Sequence, residues 1–129
     1  MATLHPELDG QRVRSSNKND DTRKVYLILD GQLRWIPNPG TYNNLFRDWN
    51  GIAEFADISD IVEGDQITDG AILAKDPNSP PVYLLSFNQK RHIASPAAMD
   101  KYYFSWDAIK KIDKVALDSI PDVPLGDIV

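Results

Sequence analysis

Six residues carry the chemistry that side-chain type and spacing allow: Arg34, Trp35 and Asn38, and, 57 positions further on, Arg91, His92 and Ser95. A guanidinium is a planar, permanently charged fork of donors that suits a carboxylate or a row of sugar hydroxyls. An indole offers a flat apolar face for the C–H side of a pyranose, and a neighbouring amide or hydroxyl adds hydrogen bonds. Together they form a ligand-binding set presented twice. Each residue also has a plainer reading. Strand alternation puts Arg34 and Arg91 on the same face as Ile36 and Ile93, so each must find partners. Carboxylates or carbonyls around Asp9 and Asp69, or Asp65 and Asp127, would make both arginines structural. Trp35 would serve equally well packed in an interface between repeats or between subunits.

Catalysis finds little support. The two histidines are His5, in an N-terminal lead-in, and His92, and a triad needs an oriented base within reach of a nucleophile. No nucleophile elbow, phosphate loop or metal-spaced histidine pair is present. The 19 acidic residues read as solvated surface, although carboxylate pairs assembled in three dimensions would escape a spacing argument. Asn17 to Asp21 offers hard oxygen ligands for calcium, but lacks the length and glycine of a calcium loop and reads as a polar turn. No cofactor and no metal are expected, and the expectation is of a non-enzyme.

Composition narrows the partners. The net charge of −5 is split evenly between the halves, so no basic face invites nucleic acid or an anionic membrane. Absence of cysteine excludes disulfides and thiol chemistry. No run approaches membrane-spanning length, and the N-terminus lacks the apolar core of a signal peptide. A soluble protein is expected, cytoplasmic or exported by a leaderless route.

The positioning elements follow from a duplication. Val25 to Pro39 recurs as Val82 to Pro96, with Val, Tyr, Leu, Gln, Arg, Ile and Pro in register and no gap. Each copy reads as a hairpin, with Asp30-Gly31 a strong tight-turn signal and Phe87-Asn88 a weaker one that could distort its turn. Asn38-Pro39 and Ser95-Pro96 read as helix starts, a capping side chain followed by proline. Tyr42, Phe46 and Trp49, matched by Met99, Tyr103 and Trp106, are spaced along one helical face. Residues 106–112 read as a further helical segment. Tyr26/Tyr83, Ile36/Ile93 and Trp49/Trp106 are expected in the core.

The expected fold is α+β and mainly β: one domain over 1–129, a pseudo-two-fold tandem repeat with each unit a strand, a β-hairpin and a short helix. Repeat one spans 9–64 and repeat two 69–126, with Ile58 to Ile67 matched to Ile120 to Val129. The C-terminal residues are expected to close onto repeat one beside residues 9–15. The alternative is two propeller-like blades completed by dimerisation, since isolated blades leave edges open.

The pattern Tyr-Leu-x-x-x-Gly-x-x-Arg-x-Ile-x-x-Pro, complete from Tyr26 to Pro39 and with Asn88 for the glycine from Tyr83 to Pro96, resembles a repeat of bacterial extracellular and cell-surface proteins. There it accompanies hydrolases or adhesive modules as a binding element; the likeness to hemopexin-like and lectin repeats is looser. The resemblance implies a non-catalytic, lectin-like module for a carbohydrate or cell-surface ligand. A protein-interaction or toxin-type component, or a small hydrolase, are the alternatives.

Overall fold

The computed structural model describes residues 2–17, 24–86 and 88–129. Most of the polar turn considered for calcium, and Phe87, lie outside the described residues.

Two four-stranded mixed sheets make up the mainly β fold. The first contains β1 (Arg12–Ser15), β2 (Tyr26–Leu29), β3 (Gln32–Trp35) and β4 (Ala53–Phe55), in the order β3-β2-β1-β4. The second contains β5 (Ile72–Lys75), β6 (Val82–Ser86), β7 (Gln89–Ile93) and β8 (Lys110–Lys111), in the order β7-β6-β5-β8. In each sheet the first strand runs antiparallel to the hairpin and parallel to the last strand.

Both hairpins keep one register. Leu27 faces Arg34 and Leu29 faces Gln32 in the first; Leu84 faces Arg91 and Ser86 faces Gln89 in the second. Asp30 and Gly31 both have positive φ, 56° and 72°, as the tightest right-twisting hairpin turn requires. Asn88 takes φ 57°, which asparagine tolerates, so the weaker signal leaves the pairing undistorted.

The helices begin where expected. In α1 (Pro39–Leu45) the Thr41 N–H donates to Asn38 Oδ1 at 2.8 Å, and in α2 (Pro96–Lys101) the Ala98 N–H donates to Ser95 Oγ at 3.1 Å. They end sooner than the aromatic spacing suggests. Phe46 turns to extended backbone to bridge Phe104 antiparallel, with Ser105 N–H donating to Leu45 O. Trp49 and Trp106 therefore fall beyond the helices. Of the segment 106–112, Trp106–Ala108 is one 3-10 turn and Lys110–Lys111 is β8; the last helix, α3 (Lys114–Asp118), follows.

The halves share an interior. Leu27, Leu29, Tyr42, Leu45 and Phe46 from one half meet Leu73, Leu84, Met99, Tyr102 and Phe104 from the other in one buried cluster. The opposite face of β2 packs Tyr26 and Ile28 with Val13, Leu33 and Ile61 in a second, smaller cluster. That double coverage explains why every β2 side chain is buried and apolar. Tyr83, by contrast, is only half-buried.

Two segments close against the hairpins. Leu33 N–H donates to Val62 O and Lys90 N–H to Pro121 O, while Ile67 N–H reaches Trp35 O and Ile128 N–H reaches His92 O. The bonds thus pair Val62 with Pro121 and Ile67 with Ile128, shifting the expected match of Ile58 to Ile67 with Ile120 to Val129. The backbone partner of the last residues is β7 through the Ile93–Ile128 bridge, rather than the strand at residues 9–15. The lead-in is also held: Thr3 N–H donates to Asp60 O, Val62 N–H to Thr3 O, and His5 N–H to Gly31 O.

Candidate ligand-binding sites

Alternation along β3 and β7 separates the six predicted residues into three places. Trp35 and Asn38 line one cleft, His92 and Ser95 another, and Arg34 and Arg91 together line a third cavity where the two hairpins approach.

The first two clefts match residue for residue. The first, about 350 Å³, has Val25, Trp35, Pro39, Tyr42 and Trp49 among its walls. The second, about 330 Å³, has Val82, His92, Pro96, Met99 and Trp106 at the corresponding positions. Trp49 and Trp106 are each 46% exposed, against their expected place in the core. The cause is the early end of each helix, which leaves the indole at the rim. Trp49 stacks on Tyr42 with centroids 3.8 Å apart and donates Nε1–H to Asn43 Oδ1 at 2.9 Å. Asp100, 57 positions after Asn43, stands beside the Trp106 indole. The Trp49 ring is thus braced on one side and wet on the other, and the Trp106 ring is equally exposed. A helical reading placed them by spacing; only the helix length could have shown that they surface.

Within these clefts the predicted polar residues are partly committed. Asn38 caps α1 through Oδ1 and donates Nδ2–H to Asp69 Oδ1 at 2.7 Å. Ser95 Oγ caps α2 and keeps its own hydroxyl hydrogen to donate. His92 Nδ1 lies 3.1 Å from Asp127 Oδ2, which favours hydrogen on Nδ1 and leaves Nε2 as an acceptor. Trp35 carries Lys24 Nζ 5.2 Å from its ring centroid. Leu33 and Lys90, on the same strand faces as Trp35 and His92, are buried beneath the closing segments. Lys90 Nζ donates to Ile120 O at 2.7 Å and pairs with Asp122 at 3.1 Å.

The arginines do find carboxylate and carbonyl partners. Arg91 grips Asp30 with both terminal nitrogens, at 2.6 and 2.7 Å, and donates Nε–H to Gly126 O at 2.9 Å. Arg34 donates to the carbonyls of Leu29 and Asp65, and reaches Asp30 Oδ2 only at 3.3 Å. The Arg91 hydrogen bonds hold the Asp30 carboxyl below its ordinary range, against the opposing effect of burial. The sequence marks Asp30 only as a turn residue. Its partner stands 61 positions away on the other hairpin, and no local signal marks such a pair.

On the surface, His5 Nδ1 lies 2.7 Å from Glu7 and Nε2 lies 3.1 Å from Thr3 Oγ1, with Thr3 and Glu7 exposed. Among the described residues no group of three or more His, Cys, Asp or Glu is placed to hold a metal, and no helix is long and apolar enough to cross a membrane. Comparison with protein-family models, with curated proteins and with solved structures gives no match.

Proposed function

We propose that this chain is a non-catalytic, lectin-like binding module of bacterial type, built as two related units about a pseudo-two-fold axis. Each unit offers one cleft to a carbohydrate or cell-surface ligand. The observation that carries this reading is the paired clefts, each rimmed by a half-exposed tryptophan at the corresponding position of its unit. The shared strand order, hairpin register and helix caps support the two-fold relation. An indole fixed on one face and open on the other is a stacking platform whose ordering entropy is already spent in folding. Two weak sites on one molecule gain apparent affinity on a surface that both can engage. The divergence of Trp35 and His92 gives the clefts different preferences.

A glycan array probed with the wild type, Trp49→Ala, Trp106→Ala and the double variant tests this. A glycan retained by the wild type, weakened by each single change and lost in the double variant is the expected outcome. No retained glycan, or retention unaffected by both changes, removes the carbohydrate reading. The hydrolase reading has one observation on its side, the Thr3–His5–Glu7 chain, which follows the order nucleophile, base, orienting acid. Ester hydrolysis abolished by Thr3→Ala would favour it.

A further inference from the structure

The third cavity is not used by the paired clefts, because Arg34 points to the opposite side of β3 from Trp35. It has a volume of about 360 Å³ and lies where the first hairpin's turn meets the second hairpin and the closing segments. Its apolar walls are Leu29, Ile67, Leu84, Val123 and Leu125. Its polar lining is Arg34, Arg91 and Asp30, with Asp65, Ser86 and Gln89.

Charge is unevenly matched along that lining. The side chains of Arg34 and Arg91 are 11% and 9% exposed, and among the described residues one carboxylate serves both. Arg91 takes both Asp30 oxygens at close range, which leaves Arg34 a shared oxygen at 3.3 Å and two neutral carbonyls. Asp65 meets Arg34 through its backbone carbonyl and is itself exposed. A guanidinium has five N–H donors, so Arg34 keeps donors to spare beside an apolar chamber. Little water reaches this cation, and a second anion would be attracted to it more strongly than at the open surface.

We infer that this cavity binds a small monocarboxylate with an apolar body. The carboxylate is received by the under-paired Arg34, with Arg91 and Asp30 fixing the opposite side, and the hydrocarbon lies against Leu29, Ile67 and Leu84. The volume is at the lower end of the range for small-molecule pockets, which fits a ligand of one ring or a short chain. A neutral amide of the same shape would meet the same walls without the ion pair.

Sodium benzoate and benzamide, titrated into the full chain and followed by amide and methyl NMR, test the proposal. Benzoate is expected to produce saturable shifts at Leu29, Ile67, Leu84 and Leu125, with benzamide at least about tenfold weaker. Arg34→Gln should reduce benzoate affinity by a similar factor. Should that variant fold poorly, Leu125→Glu decides: Leu125 is 68% exposed, so the fold tolerates the change while a negative charge enters the cavity mouth. It should weaken benzoate about tenfold and leave the thermal midpoint unchanged. Absence of saturable shifts with benzoate, equal shifts with benzamide, or benzoate binding indifferent to Leu125→Glu would each overturn the assignment.

Discussion

Replacing Asp30 by asparagine isolates one charge at the point where both hairpins meet. Asparagine keeps the side-chain shape and tolerates the positive φ of 56°, so the turn itself is spared. What is lost is the only carboxylate among the described residues that Arg34 and Arg91 contact, leaving two guanidiniums about nine-tenths buried and facing a neutral amide. Removing one partner of a fully buried ion pair costs about 3–5 kcal/mol. The Asp30 side chain is 29% exposed, which moves the expectation to about 2–3 kcal/mol. Urea unfolding at neutral pH should show that loss as a lower midpoint with unchanged slope. The pH dependence supplies the sign. Because the folded pKa of Asp30 lies below the unfolded value of 3.8, its contribution is complete above 3.8 and is lost as pH falls through the folded value. The gap between wild type and Asp30→Asn should therefore be widest near neutrality and close on acidification. An Arg91→Leu background should shrink it as well. A gap under about 0.5 kcal/mol at neutral pH, or one that ignores both acid and Arg91→Leu, refutes the idea that this carboxylate ties the halves together.

Two further changes probe the same architecture. Gly31→Ala should cost about 1–3 kcal/mol by urea unfolding, because φ is 72° and a Cβ would stand 3.0 Å from the backbone nitrogens of His5 and Pro6. Phe104→Ala removes a ring that is fully buried between Phe46 and Tyr102, and calorimetry should register about 3–5 kcal/mol. Because that ring stands where the halves join, the transition should remain single; two separated transitions would show that the halves fold independently.

What was legible in the sequence was mostly local. The tight turn at Asp30-Gly31, the caps Asn38 and Ser95 and the hairpin strands depend on neighbours a few residues away, and each formed as expected. The repeated arginines were rightly placed on an apolar face with carbonyl and carboxylate partners. The carboxylate itself was not found, since Asp30 is shared across a sequence distance that carries no pattern. The tryptophans were misplaced because i, i+4, i+7 spacing presumes a continuous helix, whereas the Phe46–Phe104 bridge ends α1 first. Strands β4 and β8 have only three and two residues and form by pairing alongside β1 and β5, so their own composition says little. Residues 106–112 had helical composition and were overruled by that same tertiary pairing.

The two closing segments guard their outer borders differently. In one, Val62 presents its N–H outward and the leading segment occupies it through Thr3. In the other, the residue that makes the same inward bond is Pro121, which has no N–H to present. Exposed strand borders invite stray chains, and proline is a common deterrent. Clipping the first few residues would therefore uncover a sticky border at Val62 and none at Pro121, and the clipped molecule would self-associate through the former.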